Sequence, residues 1–251
     1  MTHDLSDQAV LITGAGRGLG RALSLHLARC GAVIGVADID PKTCSETAEA
    51  VRQAGGVAHA YPADLSGQAA FAAAAAAFAK VGGRIDAVVN NAMSLRYEPI
   101  EDVTEETVDR MLGAGFKSSV WGCQALLKHM DPDRGGSIVN MSSPVAFKGI
   151  PNTAIYSAVK GAVTTLTRTL AAELGPRKVR VNAVAPGSVP TPATAGFVDE
   201  AEYERRARTI PLRRLGQTGD NNQAVAFLLS HEASFITGTV LHVDGGIVAA
   251  G

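Results

Sequence analysis

The stretch Ala9-Val-Leu-Ile-Thr13-Gly14-Ala15-Gly16-Arg17-Gly18-Leu19-Gly20 is an aliphatic run of strand length that stops at a cluster of glycines, and a helical pattern opens at about Leu19. Glycines let a backbone turn tightly and approach a pyrophosphate, and a helix N-terminus presents free N–H groups and a positive dipole end to it. Strand, glycine turn and helix in that order predict the first unit of a doubly wound sheet. The common fingerprint Gly-x-Gly-x-x-Gly is not met from Gly14, because Leu19 stands in its third glycine place. The spacing reads instead as Thr-Gly-x-x-x-Gly-x-Gly on Thr13, Gly14, Gly18 and Gly20.

Outward from this turn, short β-branched or aliphatic runs alternate with longer amphipathic or alanine-rich ones, the βαβ pattern of a parallel sheet covered on both faces. Strands are predicted at Ala9–Thr13, Ala32–Ala37, Val57–Tyr61, Ile85–Val89, Ser137–Met141, Val179–Val184 and Val240–Val243, and helices at about 18–30, 41–54, 67–80, 104–130, 154–174 and 220–230. The expectation is an α/β fold: one Rossmann-type doubly wound domain over residues 1–251, with a seven-stranded, mainly parallel sheet flanked by helices. The irregular region is Pro186 to Pro211, rich in Pro, Thr, Ala and Gly, with a short helix at Glu200 to Arg208; it is the candidate substrate loop.

With 251 residues, 46% of them hydrophobic, the chain can bury a sizeable core. A formal net charge of -1 provides no basic field for phosphate backbones or anionic lipid, so neither nucleic acid nor a membrane is an expected partner. Cys30, Cys44 and Cys123 are odd in number and far apart, and no His cluster has ligand spacing, which argues against a disulfide framework and against a metal. A reduced, cytoplasmic setting follows. The polar, acidic start lacks the basic and apolar regions of a signal peptide, and no apolar run reaches membrane-span length.

Two further positions carry chemistry by their place. Asp38 closes the second strand, where an acidic residue accepts from the adenosine ribose hydroxyls of NAD and repels the extra phosphate of NADP; Arg17 in the glycine turn pulls the other way. Tyr156 and Lys160 stand four residues apart in a helical segment, so they share a face. A nearby cation favours the phenolate of a group whose pKa is ordinarily about 10. Taken alone, such a pair is more often a solvated helix face.

The glycine turn, Asn90-Asn91-Ala92-Met93, Ser142-Ser143, Tyr156-x-x-x-Lys160 and Pro186-Gly187 occur in one order, and the chain in this respect resembles the short-chain dehydrogenase/reductase family over nearly its whole length. The resemblance implies that Ser143, Tyr156 and Lys160 are catalytic, with Lys160 also bonding the nicotinamide ribose. It implies NAD(H) contacts at Gly14, Arg17, Gly18, Leu19, Gly20 and Asp38, at Asp64 and Leu65 beside the adenine, and at Asn91 and Ala92. Pro186, Gly187, Val189 and the Thr191 hydroxyl would meet the carboxamide. Val243-Asp244-Gly245-Gly246 implies a subunit interface and a homotetramer. Two residues depart from the family pattern: Met93 stands in a glycine place, and Gly115 stands where an asparagine helps to seat a relay water. Asn221-Asn222 is a further oddity in an otherwise apolar helix.

The implied activity is interconversion of a secondary alcohol and a ketone. Expected substrate-lining residues are Met93, Leu95, Arg96, Tyr97, Pro144, Val145, Phe147, Ile150, Ser188, Val189 and Phe197, which suit a small to medium, mainly apolar molecule; a loop arginine such as Arg96 is ordinarily solvated. Two alternatives stay open: a 3-oxoacyl thioester reductase, and a dinucleotide-binding regulator or scaffold that has lost turnover through Gly115.

Overall fold

The computed structural model describes residues 3–192 and 198–250. Seven strands, β1 Ala9–Thr13, β2 Val33–Asp38, β3 Val57–Pro62, β4 Ala87–Asn90, β5 Gly136–Met141, β6 Val179–Pro186 and β7 Val240–Val243, form one sheet in the order β3-β2-β1-β4-β5-β6-β7. Every neighbouring pair is parallel, with Ile12 of β1 facing Val36 on one side and Val89 on the other. Side chains alternate between the faces of a strand, so each face collects its own core. Val10 and Ile12 pack with Leu23, Leu27 and Val225 beneath helices α1 (Gly18–Arg29), α2 (Pro41–Gln53) and, near the other end of the chain, α8 (Thr218–Leu229). Leu11 and Val88 pack with Phe71, Phe78 and Leu126 beneath α3 (Gln68–Gly82), α5 (Ser118–His129) and α6 (Ala154–Leu174). Each such aliphatic or aromatic side chain contributes about 1.5–3 kcal/mol on burial.

The predicted helix over 104–130 is interrupted. It runs as α4 (Glu105–Met111), a π-type turn at Leu112–Lys117, and then α5. Gly113 and Gly115 lie in this wide turn; a Cβ on Gly113 would come 3.1 Å from the side chain of Ser66, so the turn can press against its neighbours only because side chains are missing. The Ser118 and Ser119 hydroxyls donate to the carbonyls of Ala114 and Gly115, one turn earlier, and stabilise the widened backbone. The predicted short helix before Pro211 is present as α7 (Glu200–Thr209), with the Asp199 side chain accepting from the Glu202 N–H at its start.

Buried amides link the central strands to each other and to α6. Asn90 Nδ2 donates to Asn140 Oδ1 at 2.8 Å, and Asn140 Nδ2 donates to Thr167 Oγ1 at 2.9 Å, a chain running from β4 through β5 to α6. Asn90 therefore ties β4 to β5 by a side-chain bond, while its bond to backbone, 3.3 Å to the Ser119 carbonyl, reaches α5. The Asn221-Asn222 pair is buried, with Asn222 Nδ2 donating to the Ala22 carbonyl of α1 at 3.3 Å. Gly122 of α5 lies against Asn90 so closely that a Cβ there would overlap its Oδ1. Gly122→Ala should lower the thermal midpoint by about 3–8 °C, the scale of an overpacked core. Gly219→Ala, at the start of α8 where a Cβ meets open space, should leave it unchanged or slightly raised; equal midpoints for the two variants would contradict the amide packing.

Candidate active site

Parallel strands bring the turns after β1, β2, β4, β5 and β6 to one edge, and there a cleft of about 670 Å³ opens. Gly14 and Gly18 have φ of +61° and +56°, in the left-handed region where glycine is favoured. Asn91 Nδ2 donates to the carbonyls of Thr13 and Gly14, each at 3.0 Å, and Thr13 Oγ1 accepts from the backbone N–H groups of Asn91 and Ala92 at the same distance. These bonds hold the glycine turn against the end of β4, with the N-terminus of α1 facing the cleft. Asp38 accepts from the Gly16 N–H at 2.8 Å and the Asp40 N–H at 3.1 Å, so its carboxylate is fixed at the end of β2. Turn, helix end and carboxylate together could hold a pyrophosphate and a ribose.

Gly14, Arg17, Gly18, Leu19, Asp38, Asp64, Leu65, Asn91 and Ala92 line this cleft, as do Pro186, Gly187, Val189 and Thr191 on its far wall. Gly20 does not: it is packed beneath Gly14, whose carbonyl a Cβ would strike, and serves the turn rather than the surface.

Ser143, Tyr156 and Lys160 line the deep part of the same cleft. Ser143 follows β5 and starts a short 3₁₀ turn, its hydroxyl accepting from the Val145 N–H. Ser142, one residue earlier, pairs with the Thr164 hydroxyl at 2.7 Å, a structural contact as its strand position predicts. The Ser143 hydroxyl stands near enough to the Tyr156 phenol to lower its pKa. Lys160 Nζ lies 5.8 Å from the centre of the Tyr156 ring and donates to the Met141 carbonyl at 2.6 Å. Burial pushes the Lys160 ammonium down to about 8. The expected depression of the tyrosine pKa is not what this arrangement gives: burial, then the neighbouring Tyr97, holds the phenol well above the ordinary tyrosine range, and the nearby Ser143 hydroxyl offsets only part of that. Half-buried in the wall of the cleft, Tyr156 is a reluctant acid in these surroundings.

A family model described as enoyl-(acyl carrier protein) reductase matches residues 14–248. A short-chain dehydrogenase/reductase of Serratia marcescens, solved as a double mutant, superposes with a TM-score of 0.91 at 31% identity, over 98% of this chain and 100% of that one. The chain belongs to the short-chain dehydrogenase/reductase family. It is an oxidoreductase of that type. The cyclopentanol dehydrogenase of a Comamonas strain is 36% identical over 247 residues, 98% of either chain. A 3-ketoacyl-(acyl-carrier-protein) reductase from Brucella melitensis, solved with NADH, is 33% identical with a TM-score of 0.91, over 98% of this chain and 100% of that one.

Of the expected substrate-lining residues, Met93, Leu95, Tyr97, Ser188 and Val189 line the cleft. Other expected lining residues lie elsewhere. Arg96 turns outward to pair with Glu98 at 2.6 Å beside a smaller cavity, because an exposed guanidinium finds a carboxylate two residues away. Pro144 and Val145 are buried in the 3₁₀ turn, and Phe147 packs edge-on against His242 with ring centres 4.6 Å apart, leaving Ile150 exposed. Phe197 falls outside the described residues. Tyr203 and Arg206 of α7 line the cleft without having been anticipated; they stand three residues apart, on one face of a helix that the sequence predicts, and that spacing was the available signal. In an ultraviolet titration, the chromophore lost in Tyr156→Phe should be one that ionises above about pH 10, the ordinary tyrosine value. Loss of one that titrates below it would contradict the burial argument.

Proposed function

We propose that the chain is one catalytic unit that transfers a hydride between NAD(H) and a secondary alcohol/ketone pair, with Tyr156 as general acid/base. The observation that carries this reading is the convergence of Ser143, Tyr156 and Lys160 at the deep end of the cleft whose other end is the glycine turn and Asp38. The bound nicotinamide would take or supply the hydride. In the oxidation direction Tyr156, as phenolate, takes the hydroxyl proton, while Ser143 Oγ donates to the same oxygen and holds it. The cation of Lys160 favours that phenolate and compensates part of the burial that opposes it. In reduction the phenol gives the proton back. Closeness of donor, acceptor and substrate in one cleft supplies the orientation.

The preference for NAD rests on Asp38. Two backbone donors fix its carboxylate in place, and a 2′-phosphate beside it would meet a like charge at a cost of several kcal/mol. Arg17, exposed on the turn, does not neutralise this, since Asp38 is the group held in place. Met93, Leu95, Tyr97 and Val189 make the substrate end mainly apolar, which favours a small to medium alcohol or ketone, in keeping with the relative that acts on cyclopentanol. The relative that reduces 3-ketoacyl groups on acyl carrier protein supports a second reading, a 3-oxoacyl thioester reductase, and the retained Ser143, Tyr156 and Lys160 speak against a regulator without turnover. A cytoplasmic homotetramer belongs to the same reading; Cys30, Cys44 and Cys123 are free and buried, as suits a reducing compartment.

A panel of secondary alcohols and of acyl thioesters, run with both nicotinamide cofactors, separates these. Oxidation of alcohols with NAD is expected; a preference for thioesters with NADPH would favour the second reading. Tyr156→Phe should lose about a thousandfold or more in kcat while NADH binding stays within about twofold. Normal turnover in that variant would sink the mechanism. Asp38→Ala should move the kcat/KM ratio toward NADP by about a hundredfold, and an unchanged ratio would remove Asp38 from cofactor choice.

A further inference from the structure

The two residues that depart from the family pattern touch each other. A Cβ on Gly115 would lie 2.6 Å from Met93 Sδ and 2.6 Å from Val159 Cγ1. The thioether therefore occupies the notch that glycine leaves in the π-type turn, and Val159, the residue before Lys160, forms the notch's other wall. Met93 also lines the cleft, as does Lys160. The groups about Lys160 are few. Tyr156 lies on its own helix with Tyr97 behind it, β5 offers the Met141 carbonyl and the hydroxyls of Ser142 and Ser143, and the π-type turn offers backbone. Among the described residues it is burial that holds the ammonium down.

We propose that Met93 is a positioning residue for Lys160: stowed against Gly115, its thioether closes the floor of the site, keeps water from the lysine on that side, and makes Met93 and Gly115 one coupled unit. The proposal rests on the reading of Tyr156 and Lys160 as the proton-transfer pair. An apolar sulfur in van der Waals contact with the turn fills the volume without offering a strong donor or acceptor. A polar or hydrated floor would stabilise the charged lysine and raise its pKa; the thioether does the reverse. In ketone reduction, a rate that needs the lysine charged falls as pH rises through the value at which Lys160 loses its proton, near 8.

The test has two readouts. In the ligand-free protein, thermal midpoints of Gly115→Ala, Met93→Ala and the double variant form a cycle. Gly115→Ala should lower the midpoint by about 5 °C with Met93 present and by measurably less in the Met93→Ala background, where the contact with Val159 remains. In the holoenzyme, the alkaline fall of kcat for ketone reduction should keep its position in Met93→Leu, an apolar side chain of similar volume. It should move up by about one pH unit in Met93→Gln, which brings a polar group to the same place. An additive cycle overturns the coupling, and a fall that stays put in Met93→Gln overturns the dry floor; if Met93→Ala does not fold, the Leu and Gln variants decide. Should Tyr156→Phe turn over normally, the proton-transfer reading fails, and the ligand-free cycle still reports the packing unit alone.

Discussion

Two side chains near the carboxyl edge of the sheet hold the site to the fold. Thr13 accepts from the backbone of Asn91 and Ala92, and the Asn91 amide donates back to Thr13 and Gly14. A tight glycine turn has few hydrogen bonds of its own, and buried backbone groups without partners cost about as much as lost bonds. Here the missing partners come from the end of β4. Because the turn after β1 and the turn after β4 are tied by these bonds, the entrance to α1, the carboxylate at the end of β2 and the loop that carries Met93 and Tyr97 take up fixed places relative to one another. One strand further on, Asn90, Asn140 and Thr167 continue the tie to α6, the helix of Tyr156 and Lys160.

The electrostatics of the deep end are set by burial more than by proximity. Helical spacing does bring Lys160 beside Tyr156, but both lie where water is scarce, and desolvation opposes the charge on each. The lysine donates to the Met141 carbonyl, and the Ser143 hydroxyl stands near the phenol. A pair arranged in this way responds strongly to any polar group introduced next to it, since each unit of dielectric gained lessens two penalties at once.

Much of this was legible in the sequence because it is periodic or local. Seven strands, their alternation with helices, the glycine turn, Asp38 at a strand end and the Tyr156/Lys160 spacing all follow from patterns that a few consecutive residues carry. What escaped reading depends on contacts between distant segments. The break in the helix over 104–130 has its cause partly in Ser66, Met93 and Val159, which press on two glycines from other elements. The sign of the tyrosine shift depends on how deep the hydroxyl sits, which spacing along a helix does not encode. Arg96 and Phe147 left the cleft for partners, Glu98 and His242, whose nearness only the folded chain reveals. The departures at 93 and 115 were visible one at a time, but their contact was not.

The strand order has a consequence for how the molecule is assembled. β1 pairs with β2 on one side, a short loop closure, but its other edge waits for β4, with Val10 facing Ala87. Until about ninety residues have left the ribosome that edge offers unpaired N–H and C=O groups along a mainly apolar strand, the kind of surface that invites pairing with another chain. Non-local parallel pairing of this sort is slow to form. The alanine-rich α3, a strong helix former from local sequence alone, lies in the crossover just before β4, so the segment that must span the sheet can order locally before β4 pairs.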